Sequence, residues 1–197
     1  MGVLDDKVAI VTGTSRGVGV GIAHELLGAG ATVVGCSRSP LDAIPGVDAE
    51  SGWAERSHQM VCDQGDYHAI DAMVTAVIER YGRVDILVND AGGTVPAPHA
   101  EDIPALVSRI QGAPRSDDDF ERTVLFHAFA IRVYRQMQDQ DGTGCIINVS
   151  SGAGHPAGSP TLVSYGAAKS GLNHLTRSLA EEWGPAACRR RFRSSCH

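Results

Sequence analysis

Short apolar runs alternate with longer stretches of helical periodicity along most of the 197-residue chain, and few architectures can use such a pattern. Val8–Val11 reads as a buried strand, and Val20–Leu27 as an amphipathic helix that stops at Gly28 and Gly30. Thr32–Cys36 reads as a second strand and Gln59–Cys62 as a shorter third. Ile70, Met73, Val74, Val77 and Ile78 form one stripe of a helix over Ile70–Tyr81. A strand at Ile86–Val88, a helix at Phe120–Met137, a strand at Cys145–Val149 and a helix at Tyr165–Trp183 complete the series. Strands that alternate with helices this way predict an α/β fold, a doubly wound parallel sheet with helices on both faces. Two long loops, Ser39–Ser57 and the Pro-containing Gly93–Asp118, interrupt it, and there is no internal repeat.

A chain of this length can bury one sizeable core, so a single domain over residues 1–185 is expected. The balance of 17 basic against 23 acidic residues argues against a nucleic-acid or membrane-surface role for the body. Four of the basic residues, Arg189, Arg190, Arg191 and Arg193, lie in the tail 186–197; without them the balance is 13 against 23. Five scattered cysteines with no CxxC pair suit a reducing compartment, with Cys36, Cys62 and Cys145 packing as small apolar residues. The first residues carry no secretory pattern, and no apolar run approaches the ~18 residues that span a membrane. The expected location is the cytoplasm. The eight histidines fall into no metal-ligand spacing, so no metal is expected.

Directly after the first strand comes Thr12-Gly13-Thr14-Ser15-Arg16-Gly17-Val18-Gly19, opening into the first helix. Phosphates bound at a helix N-terminus need backbone N–H groups and close approach, and glycine allows both. The spacing Gly-x-x-x-Gly-x-Gly therefore predicts a dinucleotide cradle. The end of the second strand bears on which dinucleotide. An acidic residue there would hold the adenosine ribose and repel a 2′-phosphate, whereas this chain has Ser37 and Arg38. Ser37 can donate to a phosphate oxygen, Arg38 can pair with its charge, and Arg16 offers a second cation. NADP(H) is the expected cofactor, with NAD(H) the alternative.

Tyr165 and Lys169 stand four residues apart on one helix and so share a face. A neighbouring ammonium favours the phenolate, which makes a tyrosine usable as an acid or base near neutral pH. Upstream, the fifth strand ends in Asn148-Val149-Ser150-Ser151-Gly152, a pair of hydroxyls at a carboxyl end, where open α/β sheets bind ligands.

The glycine loop, the Ser pair and Tyr-x-x-x-Lys, in this order, resemble the short-chain dehydrogenase/reductase family to about Gly184. The resemblance implies a Rossmann-like fold and hydride exchange between a nicotinamide cofactor and a small alcohol or carbonyl. It implies that Tyr165 exchanges the proton and Ser151 orients the substrate oxygen, with Ser150 as the fallback. Lys169 would hold the nicotinamide ribose and tune Tyr165. Gly13, Ser15, Arg16, Gly17, Val18 and Gly19 match the family's cofactor loop, and Asp63 its adenine contact. Asn89, Ala91 and Gly92 match its Asn-Asn-Ala-Gly motif. Members of the family form homo-oligomers.

Four departures stand against the match. Asp90 replaces an amide by a carboxylate near a packed sheet, where a charge is costly unless paired. His127 stands where the family has a catalytic Asn that supports a proton-relaying water; a neutral histidine can donate and accept, so a relay survives in principle. Ser151 lies fourteen residues before Tyr165, one more than the family's usual spacing. After Pro185 the family's texture gives way to Arg, Cys and Ser, as in a truncated or frame-shifted end. Five strands are then expected instead of the family's seven, with the edge of the fifth left open and part of the substrate pocket and subunit contact missing. The competing reading is a catalytically impaired family member that binds a dinucleotide, or a partner, without turnover.

Overall fold

The computed structural model describes residues 2–92, 129–140, 143–155, 163–183 and 191–195, with 163, 164 and 191–195 described by their backbone only. Its strands are β1 Val8–Thr12, β2 Thr32–Ser37, β3 Ser57–Val61, β4 Ile86–Asn89, β5 Cys145–Val149 and β6 Arg191–Ser195. They form one sheet in the order β3-β2-β1-β4-β5-β6. Every pairing is parallel. The helices are α1 Val18–Gly28, α2 Tyr67–Tyr81, α3 over residues 129–140, and α4 Val163–Trp183. This is the doubly wound, Rossmann-like sheet expected from the alternation.

Strand alternation divides the core in two. In β1, Val8 and Ile10 face a cluster built with Ile70, Met73 and Val77 of α2, Phe129 and Val133 of α3, and Leu179 and Trp183 of α4. Ala9 and Val11 point the other way, onto Ala23 and Leu27 of α1. A parallel strand covered on both faces is apolar throughout, which is why β1 is buried at all five positions. Helix α2 ends at Tyr81 as expected but begins at Tyr67, three residues before the apolar stripe. Asp66 caps α2 by accepting from the His68 N–H at 2.8 Å, and Gly82 closes it in the left-handed region at φ 73°.

Two features differ from expectation. Ile44 and Val47, within the long loop after β2, are buried against α1. The loop is therefore part of the core, and Arg56 Nη1 ties its end to the Leu27 and Ala31 carbonyls at 3.0 and 2.8 Å. The sheet also carries one strand more than the five expected, because β6 pairs with β5 from Cys145↔Arg191 to Val149↔Ser195. The edge of β5 is thus paired rather than open. A parallel ladder is made by backbone groups, so a polar stretch can extend a sheet without the apolar pattern that marks an interior strand.

Candidate active site

The chain leaves β1 towards β2 and β3, then returns to place β4 on the other side of β1. This makes the carboxyl ends of β1 and β4 a topological switch point, the place at which open α/β sheets bind ligands. Thr12 joins the loops after these two strands: its Oγ1 accepts from the N–H groups of Asp90 and Ala91, both at 3.0 Å, and donates to the Val88 carbonyl. Gly13, at φ 80°, packs so closely that a Cβ on it would lie 2.9 Å from the Ala91 Cα. A Cβ on Gly19 would strike the Gly13 carbonyl oxygen, so α1 can reach this loop only with glycine there. Gly17, at φ 66°, opens α1, and a Cβ on it would meet nothing within 4 Å. Ser15, Arg16 and Val18 are exposed beside it. Close packing on one side, with an open, glycine-led helix N-terminus on the other, fits the demands of a dinucleotide's phosphates.

At the end of β2, Ser37 is nearly buried and already engaged. Its Oγ donates to the Ser39 carbonyl at 2.8 Å and accepts from Gln59 Nε2 at 3.0 Å. Donation to a phosphate would require this hydroxyl to turn from Ser39, while Arg38 next to it is exposed. Gln59 also accepts from Thr14 Oγ1 at 2.7 Å, and so braces the glycine loop against the end of β2. Nothing in the sequence pattern singles out Gln59, a polar residue within a strand. Asp63 is exposed after β3, its Oδ1 accepting from the Gly65 N–H at 2.9 Å. Beneath this rim Cys36 and Cys62 are buried free thiols; a hydrogen bond with Cys62, and burial, push the Cys36 thiol well up.

The residues expected to transfer the proton lie at the carboxyl end of β5. Lys169, 7% exposed, donates through Nζ to the Val149 carbonyl at 2.8 Å, and the same Nζ lies 5.6 Å from the centre of the Tyr165 ring. Ser151 begins a 3₁₀ turn over Gly152–Gly154, its Oγ accepting from the Ala153 N–H at 3.2 Å, which leaves the hydroxyl proton available to donate. Small residues hold this turn to α4: a Cβ on Gly154 would come within 2.8 Å of the Lys169 carbonyl carbon, and one on Gly166 within 2.8 Å of the Ala153 oxygen. Ser150 Oγ is buried with no hydrogen-bond partner among the described residues, so both hydroxyls of the pair stay candidates.

The Asn-Asp-Ala-Gly segment splits into different environments. Asn89 is fully buried and donates through Nδ2 to Asn148 Oδ1 at 2.8 Å; Asn148 donates in turn to Thr176 Oγ1 at 3.0 Å. This chain, which no local pattern announces, links β4 and β5 to α4 behind the site. Ala91 is half-buried and Gly92 exposed. Burial pushes the Asp90 carboxyl above the usual carboxylate range, opposed by the charge of Lys169 and a hydrogen bond from the Gly19 N–H. His127 lies outside the described residues.

A family model described as short chain dehydrogenase matches residues 7–189. An uncharacterized oxidoreductase of Mycobacterium tuberculosis is 33% identical over 189 residues, covering 92% of this chain and 66% of its own. A 3-oxoacyl-(acyl-carrier-protein) reductase of Vibrio cholerae is 33% identical over 180 residues, covering 91% of this chain and 68% of its own. Among solved structures, a metagenomic short-chain oxidoreductase in complex with NADP superposes with a TM-score of 0.73 at 30% identity, over 98% of this chain and 82% of that one. The first curated relatives are longer, so that this chain spans 66%, 59% and 63% of their lengths. With the glycine loop, the Tyr165–Lys169 pair and the strand order all in agreement, the chain belongs to the short-chain dehydrogenase family.

Proposed function

We propose that this chain is an oxidoreductase that exchanges a hydride between NADP(H) and an alcohol or carbonyl compound, with Tyr165 as the proton donor and acceptor. The observation that carries the reading is the buried Lys169, anchored to the end of β5 beside the Tyr165 ring. Gly13, Gly17 and Gly19, with Arg16 and Arg38, would hold the cofactor's phosphates. When bound, the nicotinamide supplies or accepts the hydride. Ser151 would donate a hydrogen bond to the substrate oxygen and hold it towards the Tyr165 hydroxyl. Reduction then passes the phenolic proton to that oxygen; oxidation returns it.

NADP(H) is preferred over NAD(H) because the end of β2 offers Arg38 and no carboxylate within Gly35–Arg38. The relative solved with NADP supports the same choice. Titration of the protein with NADPH, followed by nucleotide fluorescence, tests the reading; no binding at millimolar cofactor would sink it. Binding without turnover of any aldehyde, ketone or secondary alcohol in a broad panel would favour a dinucleotide-binding protein without catalysis. Arg38→Asp should shift preference from NADP towards NAD by about tenfold, an effect of ~1.4 kcal/mol. An unchanged preference would show that Arg38 does not meet the 2′-phosphate.

A further inference from the structure

We propose that Asp90 is a positioning residue whose carboxylate lies against the first turn of α1 and lowers the net positive charge of the phosphate cradle. The proposal rests on the oxidoreductase reading for its consequences, though not for the contact itself. Asp90 follows β4, with its backbone fixed by Thr12 Oγ1 at 3.0 Å. Its Oδ2 lies 2.9 Å from where a Cβ on Gly19 would stand, so the carboxylate sits against the first turn of α1. There it accepts the Gly19 N–H, and it feels the charge of Lys169 from α4. From the packed elements, then, the groups acting on the carboxylate are the Gly19 N–H on α1 and, through its charge, the Lys169 ammonium on α4. An amide in the same place would make similar hydrogen bonds and carry no charge.

One consequence follows from the sign of that charge. A helix N-terminus attracts anions through its free N–H groups, and a carboxylate already placed there opposes a second anion. Asp90 therefore weakens the hold on the cofactor's phosphates.

Asp90→Asn tests this with readouts a packing role would not move. NADPH should bind about two- to fivefold more tightly to the variant by fluorescence titration, a gain that shrinks with added salt. Unfolding of the cofactor-free protein supplies a readout that needs no cofactor. The folded-state value of Asp90 lies above the unfolded one, so its contribution is most favourable below the unfolded value and is lost as pH rises through the folded value. The variant should therefore gain on the parent in urea midpoint as pH rises above the unfolded value near ~3.9, and gain more in a Lys169→Gln background, where a nearby cation is lost.

Equal pH dependence of unfolding in parent and variant overturns the proposed contact. A changed unfolding profile with unchanged NADPH affinity overturns its cofactor half. If the parent binds no NADPH, the oxidoreductase reading fails, and the unfolding arm still judges the placement of the Asp90 carboxylate against α1. Asp90→Ser serves as the second neutral variant should the asparagine protein not fold.

Discussion

Two carboxylates flank β4 in opposite circumstances. At the amino end, Asp85 is 5% exposed and well provided with partners. It accepts from the Val8 N–H at 2.9 Å and Arg83 Nε at 2.8 Å, with Lys7 Nζ at 3.4 Å. Burial by itself pushes this carboxyl up. Hydrogen bonds from Arg83 and Val8 and the charges of Arg83 and Lys7 outweigh it and hold the group below the usual carboxylate range. At the carboxyl end, burial wins and Asp90 is held high. Two other polar atoms at that end, Asn89 Oδ1 and Ser150 Oγ, are buried without a partner among the described residues. One end of the sheet spends its polar groups on stability; the other keeps them available. Ligand chemistry needs groups that the fold has not already satisfied, which favours the second end as the candidate site.

The comparison can be broken in several places. The largest effect expected at the carboxyl end is on chemistry: Tyr165→Phe should lower turnover by about 10² to 10⁴-fold, with the urea midpoint almost unmoved. A comparable loss of stability would place Tyr165 among the structural residues. At the amino end the order reverses. Asp85→Ala should leave the reacting groups in place but destabilise the protein by about 2–3 kcal/mol at pH 7. That figure is discounted because Arg83 and Lys7 are a third or more exposed. Because the folded-state value of Asp85 is depressed, its stabilisation is present above the unfolded value near ~3.9 and is lost as pH falls through the folded value. Parent and variant should therefore converge in acid, and parallel curves down to about pH 2 would show that the ion pairs carry no weight. The smallest of these effects, about 1–2 kcal/mol, is expected from Gly13→Ala, which places a side chain at φ 80° against Ala91. NADPH affinity should fall with it; a variant that binds normally would show that the two loops need not meet so closely.

The strand and helix series was legible because each element carries its own period: β1 and β4 as apolar runs, α2 as an apolar stripe. Gly13, Gly17 and Gly19 could be picked out because helix-end phosphate binding demands backbone access, a requirement written in residue type. Gln59 could not be found in this way. Its value lies in reaching both Thr14 and Ser37, which are 45 and 22 residues away. The same holds for Asn148 and Thr176, and for Ile44 and Val47, whose burial depends on where the loop after β2 comes to rest. The sixth strand escaped notice because pairing through the backbone leaves no mark on side-chain pattern.

Taken alone, the amino-acid sequence determined the parallel doubly wound sheet, the glycine loop at the head of α1, and a phenol and an ammonium on one face of α4. Periodicity, glycine and a four-residue spacing are local properties, and local geometry suffices to read them. Tertiary structure alone decided that Lys169 is anchored on the Val149 carbonyl and that Ser37 is already engaged by Ser39 and Gln59. It also decided that two similar acids at the ends of one strand are held on opposite sides of the usual carboxylate range. Each of these depends on the solvent and charges that distant segments bring to a side chain, and the strength of an electrostatic interaction is set by that environment rather than by residue type.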